Sequence, residues 1–208
     1  MSEHKNILNT VNTYYTGKIK NHGPTPQGVD WNGEESQFMR FEQLTKNAVS
    51  EKNKVSILDY GCGFGSLIKF LESKKLNFDY TGFDISDSML EESAKVFPDK
   101  KYKWTNKIDS QSKFDYVFLS GIFNVKLEIS ESEWIEYVKE SLALINSITK
   151  KEFSFNMLTS YSDKEYMKDY LYYAKPEYWF GHCKTNVSKK VVMNHDYPLY
   201  EFTIHVIK

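Results

Sequence analysis

The sequence predicts an α/β protein: a doubly wound, seven-stranded, mostly parallel sheet with an antiparallel C-terminal hairpin and an N-terminal helical lid. Three observations carry this prediction. From Lys54 onward, short apolar runs alternate with helical patterns. The first run, VSILDY, ends in a glycine-rich turn, GCGFG. The last two runs, KKVVMNH and YEFTIHVIK, are separated by DYPL alone, and strands joined so closely must be antiparallel.

The elements follow in order. Ile7, Leu8, Val11, Tyr14 and Tyr15 recur at helical spacing in an otherwise polar N-terminus. A loop, NHGPTPQGVDWN (residues 21–32), comes next. In EESQFMRFEQLTKNAV, Phe38, Phe41, Leu44 and Val49 share one face of an amphipathic helix. Residues 1–50 form the lid segment, and 51–208 the main domain. Within that domain VSILDY is a strand and SLIKFLESK a helix. FDYTGFD is a second strand, and SDSMLEESAKVF a helix capped by Ser86 or Asp87. Residues 101–104 make a third strand and FDYVFLSG a fourth. SESEWIEYVKESLALI is a capped helix, KEFSFNML a fifth strand, and residues 163–181 read as a helical, aromatic segment.

Composition bounds the function. The chain has 208 residues, enough for one well-buried domain. Net charge is −1 and pI about 6.5, so there is no basic stripe for nucleic acid. No apolar run approaches the ~18 residues of a membrane helix, and the N-terminus lacks the apolar stretch of a signal peptide. Cys62 and Cys183 form neither a disulfide framework nor a metal-type spacing. These features point to the cytoplasm, with both thiols reduced. Arg40 is the only arginine in the chain, which marks a position where a planar fork is needed rather than a point charge.

The most informative stretch is ILDYGCGFGSL. Glycine in the first strand-to-helix turn lets backbone approach a ligand closely. The spacing is Gly61-x-Gly63-x-Gly65, preceded by Asp59. A dinucleotide fingerprint would place the third glycine one residue later, and a phosphate loop would be followed by Lys-Ser/Thr. Asp84 ends the second strand, where an acid can accept hydrogen bonds from both ribose hydroxyls. The ligand therefore carries a ribose, without a phosphate in the glycine turn.

VSILDYGCGFG, YTGFDIS and FDYVFLSG resemble the successive motifs of class I S-adenosylmethionine-dependent methyltransferases, and the reversed last strand fits that family. The resemblance spans roughly residues 54–208. It implies S-adenosyl-L-methionine as cofactor, with Asp59, Gly61, Gly63, Asp84 and Ile85 around it. It also implies Ser120 at the end of the fourth strand and Asn106 at the adenine N6. The stretch Ser120-Gly-Ile-Phe-Asn124 lacks the Asn/Asp-Pro-Pro-aromatic signature of base-methylating enzymes, so nucleic acid is not the expected acceptor. SGIFN and NMLTS lack the clustered acids of metal-dependent relatives, so no metal is expected. The N-terminal pattern and HDYPLYEFT are similar to small bacterial methyltransferases of surface-polysaccharide and secondary metabolism. That similarity leaves a sugar hydroxyl, a phosphoryl-linked group and a carboxylate open as acceptors.

The remaining candidates lie outside these motifs. Arg40 reads either as a surface ion pair or as a clamp on the cofactor carboxylate or an anionic acceptor. His22, then His195, are nominated as general base, because imidazole titrates near neutral pH. Asp30, Trp31 and Tyr197 are nominated to contact a small-molecule acceptor. His182 is a weaker candidate, and His205 reads as structural. NHGPTPQGVDWN reads as part of a lid over the methyl group. Two rivals stay open: a nucleotide-dependent oxidoreductase or epimerase, and a cofactor-binding regulatory subunit without chemistry.

Overall fold

A computed structural model describes residues 2–29 and 33–208, with side chains from Asn6 onward. Seven strands form one sheet: β1 (Val55–Tyr60), β2 (Phe78–Phe83), β3 (Lys103–Thr105), β4 (Phe114–Leu119), β5 (Thr149–Leu158), β6 (Lys190–Asn194) and β7 (Glu201–Ile207). Their order is β3-β2-β1-β4-β5-β7-β6. β1 to β5 run parallel, and β7 lies antiparallel between β5 and β6. The chain winds outward from β1 to β3 and then returns to place β4 beside β1. That reversal opens a crevice at the carboxyl ends of β1 and β4, where sheets of this kind bind ligands.

The helices cover both faces. Helix α5 (Glu131–Ile148) packs Trp134, Val138, Leu142 and Ile145 against Leu58, Val117 and Phe155 of the sheet. Its start is fixed by a capping box between Ser130 and Glu133. On the opposite face α2 (Glu34–Thr45) and α3 (Leu67–Ser73) bury Phe41, Leu44, Leu67 and Leu71 against Ile57, Tyr80 and Phe118. Central parallel strands are buried on both sides, which is why β1 and β4 read as nearly continuous apolar runs. Helix α4 (Asp87–Val96) is capped by Ser86, whose hydroxyl accepts the Met89 N–H.

Helix α1 (Ser2–His22) joins the core through Ile7 and Val11. Nearer its end, Ile19 packs with Phe64 and Met89, and Val29 lies against this group. Residues 21–29 therefore hold more order than their composition predicts. Their start is the last turn of α1, and Pro26–Val29 form a short 3-10 helix. The 163–181 segment is divided. A 3-10 turn at Lys164–Tyr166 and an irregular stretch precede α6 (Pro176–Asn186), whose start is set by Pro176. His205 is structural: its Nδ1 lies 2.7 Å from Glu152 Oε1, and both residues are buried.

Candidate functional site

The glycine turn is latched to the end of β2. The N–H groups of Gly61 and Cys62 both donate to the Phe83 carbonyl, at 2.8 and 2.9 Å. Gly63 has φ +54, and a Cβ placed there would come within 2.8 Å of Val29 Cγ1. Glycine here thus serves a left-handed backbone and a close approach by the N-terminal segment. The Gly63 N–H donates to Asp84 Oδ2 at 3.0 Å, and the Ser86 N–H donates to Asp84 Oδ1 at 2.9 Å. Each carboxylate oxygen retains a lone pair for a ligand hydroxyl.

Two acids share this cleft. Burial pushes the Asp84 carboxyl up to about 6, against the opposing pull of the Ser86, Gly63 and Ile85 N–H groups. Burial pushes Asp59 up to about 7; the Tyr80 hydroxyl opposes this by donating to Oδ2 at 2.7 Å, and the charge of Asp84 adds to it. A cationic ligand would relieve both. In the same cleft, the Ser120 hydroxyl is buried and has no hydrogen-bond partner among the described residues. Such a group is costly to leave unmade, so it marks a place for a polar ligand atom. Apolar sides come from Tyr60, Phe83, Ile85 and Met89, and the N-terminal helix covers the cleft with Leu8, Val11 and Tyr15. The cleft is narrow, about 90 Å³. An acid at a strand end, a glycine cradle and an unpartnered hydroxyl fit an amino-acid-bearing nucleoside such as S-adenosylmethionine.

A second cavity of about 800 Å³ adjoins the first. The two share Tyr15, Val29 and Gly121 as walls. The second is rich in tyrosine and bounded by residues 158–173 and the β6–β7 hairpin. One wall is a buried polar relay. The Arg40 guanidinium donates to Glu201 Oε1 from Nε at 2.8 Å, and its second nitrogen lies 2.6 Å from the same oxygen. Asn156 Nδ2 donates to Glu201 Oε2, and Asn156 Oδ1 accepts the Gly121 N–H at 2.8 Å. A bond chain thus runs from α2 through β7 and β5 to the turn after β4.

Six of the residues expected at the cofactor line the narrow cleft: Asp59, Gly61, Gly63, Asp84, Ile85 and Ser120. Two do not. Asn106 is exposed and donates to Asp87 Oδ1 at 2.8 Å, so its amide faces the α4 start. Arg40 lines the second cavity, and its buried pairing with Glu201 corrects both the cofactor-clamp and the surface-pair readings. Tyr197 also lines the second cavity, with its hydroxyl 2.9 Å from Thr203 Oγ1. His22 and His195 are exposed and line neither cavity; His195 packs against Tyr161 and Phe202. His182, on α6, also lines neither. Asp30 and Trp31 lie outside the described residues. Tyr15 is a shared wall of the two cavities, and Asn124 and Glu201 line the second; none of the three stands out in the sequence as a site residue. Tyr15 had a signal in the helical spacing of the N-terminus. The other two had none, because their neighbours are distant in sequence. Among the described residues no three His, Cys, Asp or Glu side chains gather as a metal site, and no helix is long and apolar enough to cross a membrane.

The chain is similar in sequence and in fold to known methyltransferases. The profile described as "Methyltransferase domain" matches residues 58–144. A protein of Mycobacterium tuberculosis (strain ATCC 25618 / H37Rv), described as "Putative methyltransferase Rv1506c", is 42% identical over 163 residues, 77% of this chain and 97% of the relative. In fold, the chain is similar to magnesium protoporphyrin IX methyltransferase from Synechocystis PCC 6803 with bound SAH. The TM-score is 0.67 at 12% identity, over 99% of both chains. It is similar also to the N-methyltransferase NodS from Bradyrhizobium japonicum WM9 in complex with S-adenosyl-l-homocysteine. There the TM-score is 0.62 at 11% identity, over 95% of this chain and 97% of that one.

Proposed function

The chain belongs to the class I S-adenosylmethionine-dependent methyltransferases, and on that premise we propose that it moves a methyl group to an oxygen or nitrogen of a small-molecule or glycan-precursor acceptor. One observation supports the reading above all: the cleft holding Asp84 and the larger cavity meet along Tyr15, Val29 and Gly121. A donor and an acceptor bound in the two would face each other across that seam.

When bound, S-adenosylmethionine supplies an electrophilic methyl group on a positively charged sulfur. Asp84 would accept the ribose hydroxyls with the lone pairs its backbone bonds leave. Asp59, held by Tyr80, would contribute negative charge to the cationic end. Gly61 and Gly63 would admit the amino-acid portion close to backbone, and Ser120 would satisfy a polar ligand atom. Residues 1–50 would cover the site through α1 and Val29 and exclude water. The chain's main contribution is then positioning: holding reacting atoms at ~3–3.5 Å removes much of the entropic barrier. Neither His22 nor His195 borders the seam, so we assign no imidazole base.

Calorimetry with S-adenosylhomocysteine and with NAD, followed by transfer of labelled methyl to an acceptor panel, tests this function. Tight binding of the first and none of the second is expected. Binding of NAD alone would return the oxidoreductase reading. Cofactor binding without transfer to any acceptor would favour a regulatory subunit.

A further inference from the structure

We propose that the second cavity is the acceptor site and that it is built for a neutral sugar ring. This rests on the methyl-transfer reading above and narrows its acceptor class.

Charge decides first. The buried charges on the wall are Arg40 and Glu201, and they are spent on each other. A buried anionic acceptor would need an uncancelled cation, and a cationic one an uncancelled carboxylate. Lys168 also lines the cavity, but it is exposed at the rim with its ammonium 5.8 Å over the Tyr170 ring.

The lining decides next. Six tyrosines border the cavity. Tyr166 and Tyr200 stay 61% and 43% exposed at its mouth, with rings 6.1 Å apart and tilted by only 32°. Exposed aromatic surface beside a cavity marks a ligand groove. A tyrosine offers an apolar face and a polar tip. A pyranose offers the complement: a C–H face to lie on a ring and hydroxyls around its edge.

Hydrogen-bonding groups complete the match. Asn124 Oδ1 accepts the Leu158 N–H at 3.1 Å, leaving its amide nitrogen as a donor at the cavity wall. Ser162 Oγ donates to the Thr159 carbonyl at 2.7 Å and keeps its lone pairs. A phenol would leave most of these groups unpaired once it displaced water, which is costly. The cavity's size, about 800 Å³, suits one or two sugar rings. In the reaction a sugar hydroxyl oxygen forms the new O–CH₃ bond. The S–CH₃ bond breaks with its electron pair remaining on sulfur, and the hydroxyl proton passes to solvent at the mouth of the larger cavity.

Saturation-transfer NMR on the full chain with S-adenosylhomocysteine present tests the proposal. The probes are methyl α-glucopyranoside, methyl α-rhamnopyranoside, glucuronate, glucose 6-phosphate and 4-nitrophenol, each at about 10 mM, where millimolar binders register. At least one neutral glycoside should respond. Its signal should fall about fivefold or more in Asn124→Asp, which keeps the Leu158 acceptor, and in the exposed Tyr166→Ala. S-adenosylhomocysteine affinity should be unchanged in both. A response from the charged sugars or the phenol alone, or from none of the probes while S-adenosylhomocysteine binds, overturns the sugar proposal. Failure to bind S-adenosylhomocysteine sinks instead the methyl-transfer reading on which it rests.

Discussion

The two cavities are neighbours but are built differently. The narrow cleft is made by local geometry: a strand end, a glycine turn and the next strand end place Asp59, Gly63 and Asp84 together. The larger cavity is made at long range. Arg40 meets Glu201 across 161 residues of sequence, and Asn156 joins them from a third element. Local devices recur wherever the same ligand is bound, whereas long-range assemblies can change with the acceptor. The cofactor half is therefore legible as a motif and the acceptor half only as a structure.

The largest test of this contrast is Glu201→Ala. It removes the carboxylate oxygen that two Arg40 nitrogens meet in a buried wall, which should cost roughly 3–5 kcal/mol of stability, read as a fall in denaturation midpoint. Unchanged stability would mean the long-range wall is held by something else. Asp84→Asn should act oppositely. It removes a charged double acceptor, worth about 3 kcal/mol or roughly 100-fold in S-adenosylhomocysteine affinity by calorimetry, while folding is largely kept. Gly63→Ala imposes a side chain on a left-handed backbone at a cost of about 1–2 kcal/mol, and presses on Val29. It should weaken cofactor binding without changing selectivity among acceptors.

The acids of the cleft give it a pH signature. Burial raises Asp59 to about 7 and Asp84 to about 6, from 3.8. The folded chain then binds more protons than the unfolded one across that interval. Their contribution is fully present below the ordinary carboxylate range and is lost as pH rises through 6 to 7. Thermal melts without cofactor should show this decline, and Asp59→Asn should flatten it. A flat profile in the parent chain would show the acids are already ionised. The smallest effect is expected from His22→Ala and His195→Ala, which should leave transfer rates nearly unchanged across pH 6–8. A marked loss in either would bring an imidazole back to the seam.

The same contrast explains what the sequence revealed. Asp84 was legible because an acid ending a strand after a glycine turn has one common use. Arg40 was conspicuous as the single arginine, yet its task was hidden because Glu201 lies in the last strand. Asn106 was misread because a capping-end partner, Asp87, competes for its amide. The 21–32 loop stands out in the sequence by its His, Asp and Trp. What the structure adds there is Val29, a residue with no chemical signal, seated over Gly63.

That seat has a kinetic consequence. Tyr15 and Val29 border both cavities, so a displacement of the N-terminal segment would open both at once. On the proposed reading, spent cofactor and methylated product would then share one exit. Turnover would then be paced by a single opening event rather than by two independent departures. A substitution that loosens Val29 would raise the release of both products together.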